Sequence, residues 1–413
     1  MTDNSDDEIG SALEQPLSHL QWYLNKAKNT VYLAAESSKP ISKEDFHQIV
    51  ILIRKLAPQL NCKADKRGKR HVVVESDQKT ICKYESTDDL YESLADFIDD
   101  NLSIYSDPDL PNFRAACFNL AEPKDDALQS IYVCCSSHAL MEGSESARIL
   151  RTRQTVYHAG RLSAGLGFLT KLSIAFAGLI LAPFHLAASR FNWKGATEGK
   201  WVVVDLDRKS VKKLARQFGV RQRSILFSLP LFGLHLVKSL PNRTNKKTQL
   251  VSYATHPDTK TTLEDTALNL RMQVGRIPTA ETYSAHLQEI DKVLSKEDTT
   301  EVYSQAFYNS ILGIHRVLEP IFPFLYGQRF FTYVPYDFVL SLLPPHVTGG
   351  VFRKLFDRSV FCGAYTPGVN TCVFVPYRNG VSLNLYVDPQ MLENIDAFCA
   401  FLSDLGINCR RVV

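Results

Sequence analysis

The chain has 413 residues, with 47 Lys and Arg against 44 Asp and Glu, a formal charge of +3; at roughly 150 residues per domain this leaves room for two or three domains, or two large halves sharing one interface. Hydrophobic residues at 45% and charged residues at 22% exclude a disordered chain, and 20 Gly and 19 Pro exclude a collagen-like or low-complexity one. A charge of +3 over this length is too small to select a nucleic-acid partner by bulk electrostatics.

The opening MTDNSDDEIGSALEQ is acidic and polar, the opposite of a signal peptide, and residues 1–15 are expected to be disordered. A helix is expected after Ser42, a cap-like residue, because Phe46, Ile49, Val50, Ile53 and Leu56 recur at helical spacing. His71 to Glu75 reads as a short strand after the basic turn Asp65-Lys66-Arg67-Gly68, and Asp88 to Ile98 as an amphipathic helix. Ile131 to Cys135 is short, apolar and β-prone, hence a buried strand, and it stops at Ser136-Ser137-His138. Met141 to Leu150 suits a helix.

Leu172 to Ala188 holds 17 residues without a charge, interrupted by Pro183 and His185. Three readings stay open: a buried helix connecting two halves, a helix or hairpin on a membrane surface, or a transmembrane span, for which the run is short. Gly165 to Phe168 extends the apolar character upstream, so the whole candidate membrane contact is residues 163–190. Trp201 to Leu206 is strand-like and Ser210 to Phe218 helical. In that helix Lys209, Lys212, Lys213 and Arg216 form one basic stripe opposite Val211, Leu214 and Phe218. The stripe is either a solvated surface or a landing site for the phosphates of CoA, a carrier protein's phosphopantetheine, or anionic lipid.

Pro241 to Lys247 reads as an exposed loop, and Glu281 to Leu294 and Glu301 to Val317 as helices. The aromatic runs Ile321 to Tyr326 and Phe330 to Tyr333 are read either as the lining of an acyl tunnel or as plain core. Near the C-terminus, Thr371 to Pro376 and Val381 to Val387 flank Asn379-Gly380, a hairpin signal, and a helix from Gln390 to Leu405 closes the chain.

The nine cysteines include no C-x-x-C pair and the neighbours Cys134 and Cys135, which argues against a zinc site or a secreted disulfide framework and for a reducing cytosol. Cys134 and Cys135 are read as strand residues rather than reactive thiols. The chemistry-bearing group is His138, at a strand end where a rigid scaffold can aim an imidazole into a cleft as a general base. Glu142 could fix that ring or lock the loop through an ion pair, and Gly143 permits close packing or a positive φ. His138 and Glu142 have metal-ligand spacing, but no third ligand arrives at a recognisable distance, so no metal is expected.

Ser137-His138-Ala139-Leu140-Met141-Glu142-Gly143 resembles the His-His-x-x-x-Asp-Gly motif of CoA-dependent acyltransferases with the chloramphenicol acetyltransferase-like fold. That superfamily includes wax ester synthase/diacylglycerol acyltransferases, plant acyltransferases and peptide-synthetase condensation domains. The resemblance extends to the helix 43–57 with its Ala57-Pro58-Gln59-Leu60, to Pro111-Asn112-Phe113-Arg114 before the motif strand, to Asp205–Phe227, and to the closing hairpin and helix. These matches span most of the chain in the family's order. There are departures. Ser137 stands at the family's first histidine, Glu142 replaces its aspartate, and Arg223-Ser224 replaces the Asn-Asp pair of the wax ester synthase branch. Phe361 to Gly368 echoes that branch's Asn-x-Pro-Gly-Pro segment only loosely.

The resemblance implies an α/β fold of two similar subdomains, each a mixed sheet with flanking helices, enclosing a central cleft or tunnel. Residues 16–160 would be the N-terminal subdomain, 161–200 an apolar linker or helical segment, and 201–413 the C-terminal subdomain. It implies acyl transfer from acyl-CoA or an acyl carrier protein to a hydroxyl or amine, with a lipid-like acceptor and no resident cofactor. His138 would be the base, with Ser137, Glu142 and Gly143 as motif-structural residues and Ser137 a weak candidate oxyanion donor. The lysine and arginine stripe would meet the donor. The expected location is cytoplasmic, with the inner face of a membrane as an option. The competing reading is a catalytically inactive condensation-like fold kept for binding or scaffolding.

Overall fold

The computed structural model describes residues 17, 19–65, 70–74, 76–102, 104–105, 107, 109–122, 128–140, 168–191, 199–236, 248–255, 271–278, 280–295, 301–331, 333, 338–343, 358–365, 370–377, 380–387 and 395–412. The helix expected at 141–150 and the loop 241–247 lie outside these residues.

The N-terminal half runs α1 (His19–Lys26), β1 (Thr30–Ser37), α2 (Lys43–Leu56), β2 (Cys62–Ala64), β3 (His71–Val73), α3 (Gln78–Ile81), β4 (Cys82–Thr87), α4 (Leu90–Asn101), β5 (Phe113–Leu120) and β6 (Ser130–Ser137). The apolar run is helix α5 (Phe168–Phe191). After it come β7 (Lys200–Asp207), α6 (Arg208–Phe218), α7 (Gln222–Leu236), β8 (Thr248–Thr255), β9 (Arg271–Pro278), α8 (Tyr283–Ser295), α9 (Glu301–Leu318) and α10 (Gln328–Phe331). The chain closes with β10 (Phe338–Leu342), β11 (Val360–Tyr365), β12 (Thr371–Pro376), β13 (Gly380–Val387), α11 (Ile395–Asp404) and β14 (Cys409–Arg411).

Local chemistry sets the helix starts. Ser42 caps α2, accepting from the Asp45 N–H at 3.0 Å, and Asp89 caps α4 by accepting from the N–H groups of Tyr91 and Glu92. Asp207 caps α6 in the same way, and its hydrogen bonds from Ser210 hold its carboxyl below the usual range. At the other end of α6, Gly219 takes the left-handed conformation with φ 64° that ends the helix.

Two mixed sheets form. The first has the order β11-β1-β6-β5-β4, the second β14-β7-β13-β12-β10-β8-β9, and β2 and β3 make a small ribbon. The expected closing hairpin is present as the antiparallel pair β12 and β13, in register from Thr371↔Tyr386 to Pro376↔Val381. A crossing between halves appears in the first sheet: β11, far along the chain, pairs antiparallel with β1 from Thr30↔Tyr365 to Ala35↔Val360. The N-terminal sheet is therefore completed by sequence from the second half.

Alternation of side chains along the strands assigns each face. In the first sheet, Leu33, Ala35, Cys134 and Tyr132 pack beneath α2 with Phe46 and Ile53. Tyr32, Ala34, Val133 and Cys135 pack on the opposite face with Leu94 and Phe97 of α4. The second sheet turns Val202, Val204 and Leu206 toward α6, α7, α8 and α11. Its other face sends Trp201, Val203 and Tyr386 into the α4 core, while Val373 and Val375 join the α2 core. Both cores of the first half thus contain residues of the second.

Polar groups close the same seam. The Glu36 carboxylate at the end of β1 accepts from the Tyr91 hydroxyl at 2.5 Å and from the Ser359 N–H at 3.3 Å. The Ser359 hydroxyl donates to Asp205 on β7 at 3.0 Å. Arg410 of β14 reaches Asp205 at 3.0 Å and stands 4.0 Å from Glu36. Desolvation raises the pKa of both carboxyls, and the Asp205 charge pushes Glu36 further the same way.

The correction to the sequence reading concerns α5. It is no buried connecting helix: Phe168, Leu172, Phe176, Leu179 and Phe184 are exposed, and the helix continues through Pro183. By length and composition it is the single helix among the described residues able to cross a membrane.

Arg410→Ala should destabilise the protein by about 1–2 kcal/mol at pH 8, a value below that of a fully buried pair because the arginine side chain is 58% exposed. The folded-state pKa values of Glu36 and Asp205 are raised, so the native state takes up protons before the unfolded chain as pH falls. The loss should therefore shrink toward pH 5. Urea unfolding at both pH values checks it, and equal losses would show that the carboxylates do not depend on the arginine.

Candidate active site

His138 follows the last residue of β6, whose neighbour on one side is β1 and on the other β5. The turn after the strand is pinned by backbone bonds. The His138 N–H donates to the Asn29 carbonyl at 2.8 Å, the Ser137 N–H to the Asn112 carbonyl at 3.0 Å, and the Leu140 N–H to the Ser137 carbonyl at 3.0 Å. Asn112 belongs to the Pro-Asn-Phe-Arg stretch singled out in the sequence, and Arg114 ties it off by donating to the Pro111 and Phe113 carbonyls at 2.7 Å each. From the other side, Gln21 of α1 donates to the Ala139 carbonyl at 3.1 Å, and Ala139 packs with Trp22, Leu312 and Phe330.

The His138 ring is half-buried. Its Nδ1 is buried with no hydrogen-bond partner among the described residues, and burial pushes the pKa down to about 4. The imidazole is therefore neutral at pH 7, the form that can accept a proton. Half-buried His185 and buried His315, whose rings lie 5.3 Å apart between α5 and α9, are pushed down to about 4 and about 3, chiefly by desolvation. In the unfolded chain all three bind a proton near pH 6.5, so they lower stability as pH falls from about 6.5 toward 4.

Ser137 is expected as a motif-structural residue and, weakly, as an oxyanion donor. Its fully buried hydroxyl sits 2.7 Å from the Tyr105 hydroxyl and accepts from the Ala139 N–H at 3.2 Å. Tyr105 itself donates to the Asn29 carbonyl, so the serine proton goes to Tyr105. With its proton committed, Ser137 is not a free oxyanion donor. It fastens the turn that carries His138. Glu142 and Gly143 lie outside the described residues.

A pocket opens on the α4 side of the same sheet, lined by Tyr32, Leu102, Trp201, Tyr365, Asn384 and Tyr386 among others. Thr30 pairs with Ser137 on one flank and Tyr365 on the other, so this wall is two strands, about 10 Å, from the His138 turn. Tyr32 lies across Gly363, where a Cβ would stand 2.1 Å from the tyrosine oxygen. Glycine is therefore required there. Tyr32 Oη, Trp201 Nε1 and Asn384 Oδ1 are buried without hydrogen-bond partners among the described residues. Two donors and one acceptor thus belong to residues of one aromatic pocket. None of these residues was singled out from sequence, because they come from three distant strands and carry no local motif.

The basic stripe is as expected in form: Lys209, Lys212, Lys213 and Arg216 are exposed on α6, with Val211, Leu214 and Ala215 buried beneath. None of the four makes an ion pair among the described residues. Their helix covers the outer face of the second sheet, opposite the face that lines the pocket. The aromatic segment divides. Ile321, Phe322 and Phe324 are exposed, whereas Tyr326, Phe330 and Phe331 pack in the core that holds Ala139. The buried part of the segment thus packs beside the His138 turn. Cys134 and Cys135 are buried, and burial pushes the Cys134 thiol up to about 11 and Cys135 well above its usual value, so both are unreactive. No cluster with metal-ligand composition occurs among the described residues.

No protein-family model and no curated protein sequence matches the chain. Solved structures do. The wax ester synthase/diacylglycerol acyltransferase from Marinobacter aquaeolei VT8 superposes with a TM-score of 0.54 at 13% identity, covering 97% of both chains. Trichothecene 15-O-acetyltransferase from Fusarium sporotrichioides gives 0.60 at 11% identity, covering 94% of this chain and 95% of the other. The first condensation domain of the CDA synthetase gives 0.55 at 11% identity, over 95% and 96%. The chain thus shares its two-lobed α/β fold with these two acyltransferases and this condensation domain, the fold that the sequence resemblance implies.

Tyr105→Phe should cost about 1–3 kcal/mol, since it leaves the buried Ser137 hydroxyl without its acceptor. Thermal unfolding measures this, and an unchanged midpoint would remove the Tyr105–Ser137 pair from the support of the turn.

Proposed function

We propose that the protein is an acyltransferase in which His138 is the general base, moving an acyl group from a thioester donor to a hydroxyl or amine acceptor. The carrying observation is a neutral, half-buried imidazole on a pinned turn at the end of β6, within a fold shared over most of the chain with acyltransferases and a condensation domain. The donor is acyl-CoA or an acyl carrier protein. The exposed apolar surface of α5 supports a lipid-like acceptor, and the location proposed with it is the cytoplasm, with the inner face of a membrane as the place of contact.

His138 takes the proton from the acceptor as its oxygen or nitrogen attacks the thioester carbonyl. The tetrahedral adduct collapses with cleavage of the C–S bond, and the departing sulfur receives that same proton from the imidazolium. No acyl-enzyme forms, so Cys134 and Cys135, buried and protonated, take no part. Ser137, Tyr105, Asn29 and Gln21 are positioning residues for the turn. The exposed stripe Lys209, Lys212, Lys213 and Arg216 offers unpaired positive charge to the donor's phosphates or to an acidic carrier.

His138→Ala should reduce thioester turnover by roughly 10²–10⁴-fold while leaving the fold intact. In the wild type, the rate should stay flat on acidification past pH 6.5, with protonation of the base appearing only toward about 4. Thiol release, followed spectrophotometrically across a panel of acceptors, measures both. Equal rates in wild type and variant would remove His138 from the mechanism, and no turnover with any donor and acceptor would leave the binding or scaffolding role.

A further inference from the structure

A helix in a soluble core turns its large apolar residues inward. Helix α5 does the reverse. Its buried residues are small: Gly178 lies so close to α9 that a Cβ would stand 2.5 Å from the Ser310 hydroxyl, Ala182 and Ser189 are buried, and His185 and Leu186 add larger side chains on that side. The large residues face outward, with Phe168 77%, Phe176 64% and Phe184 67% exposed, and with Leu172, Leu179 and Ile180 between them.

The apolar surface continues onto a second element. The corner after α9 exposes Val317, Ile321, Phe322 and Phe324, the last at 75%. Arg190, in the last turn of α5, donates to the Phe324 carbonyl at 3.4 Å, which sets that corner beside the end of the helix. The five exposed phenylalanines alone leave roughly 600 Å² open, at about 200 Å² for each side chain. Exposed apolar area of this size on two neighbouring elements marks an interaction surface.

Two observations select the occupant. The chemistry of the flanks is cationic: between Glu145 and Glu198 the sequence has no acidic residue, while Lys171 falls in the first turn of the helix and Arg190 in its last. Exposed Arg329 adds to the corner. Large aliphatic and phenylalanine side chains on one face, with cations at the margin, match the interface of an anionic bilayer. The second observation is one-sidedness. At 24 residues the helix is long enough to cross a bilayer. Its inner stripe, however, is committed to α9, with His185 against His315 and Phe330, so lipid cannot surround it.

We propose that the outer face of α5, with the Val317–Phe324 corner, docks the protein peripherally on an anionic phospholipid bilayer, lying in the interface without crossing it. The surface deepens the acyl-transfer reading by supplying a route for a lipid acceptor, but docking itself does not depend on catalysis. Behind it, α9, α10 and α1 form one packed layer that ends on Ala139, next to His138.

The test uses the full-length protein with sucrose-loaded vesicles of phosphatidylcholine, with and without phosphatidylglycerol. Sedimentation should show binding to the anionic vesicles, weaker binding to the neutral ones, and weakening with added salt. The combined variant Phe176→Ser, Leu179→Ser, Phe184→Ser should bind on the order of tenfold or more weakly. Its circular dichroism and unfolding midpoint should be unchanged, since these side chains face solvent. Phe324→Ser, on the other element, should weaken binding independently. Absence of wild-type binding, or equal binding by the variants, overturns the proposal. So does a concentration-dependent dimer, seen by light scattering, that the triple variant abolishes while vesicles stay unbound. Resistance of bound protein to high-salt and carbonate extraction would overturn peripheral docking in favour of a span. The triple variant should keep wild-type turnover with a short, water-soluble acceptor, so a failure of docking and a failure of acyl transfer are read separately.

Discussion

Strand β11 belongs by sequence to the second half and by hydrogen bonding to the first, and the placement of the site follows from this exchange. Separating the halves would strip β1 of one flank of its ladder and open both cores at once, because Val360 and Cys362 point into one and Phe361 into the other. The ladder is continued past its end by the Glu36 N–H bonded to the Ser359 carbonyl, and Ser359 passes the connection on to Asp205. Glu36 and Asp205 are two buried carboxylates sharing one half-exposed arginine, an arrangement that is costly unless its hydrogen bonds are all in place. Its worth lies in geometry, since it admits only one relative placement of the halves.

That placement fixes the environment of His138. The turn bearing it is bonded to Asn29 before β1, to Asn112 before β5 and to Gln21 of α1, so three segments must be in position before the ring is. The same packing that holds the turn buries Nδ1 and lowers the imidazole's pKa through desolvation. A weaker base is the consequence, and also a base that never has to be deprotonated at neutral pH. Ser137, which occupies the position of a histidine in the related motif, contributes through its hydrogen bond to Tyr105. The motif's first position is here a fastening point.

Much of this was legible in the sequence where local pattern decides. The helix after Ser42, a strand over Ile131–Cys135, a helix over Ser210–Phe218 and the closing hairpin each carry a local pattern, and each is present, the strand running on to Ser137 and the helix starting at Arg208. Strands β1 and β5 were passed over because TVYLAAES and FRAACFNL carry Ala, Asn or Arg within them. Both are buried on two faces, so the alternation of polar and apolar residues that marks a half-exposed strand is missing. The exchange of β11 had no local signal, since pairing at a separation of more than 300 residues is a tertiary choice. The pocket residues were hidden for the same reason. The segment around His138 stands out in the sequence because a strand, a histidine and a glycine occur close together, whereas Tyr105 and Asn29, which bond to its turn, carry no such pattern.

Helix α5 could not be resolved by composition, because a buried helix and a membrane-facing helix are equally apolar. What separates them is the order of sizes around the helix, and this needs a neighbour to define inside and outside. Once α9 is in place, the small residues Gly178, Ala182 and Ser189 are the inner ones and the phenylalanines the outer ones. The close approach that small residues allow brings His185 against His315, and His315 hydrogen-bonds Tyr326 at 2.9 Å in the core that also contains Ala139. The outer surface and the His138 turn are therefore opposite sides of one helical layer. A force or a ligand that shifts α5 acts on α9, then on the packing of α1, and so on the bond from Gln21 to the Ala139 carbonyl.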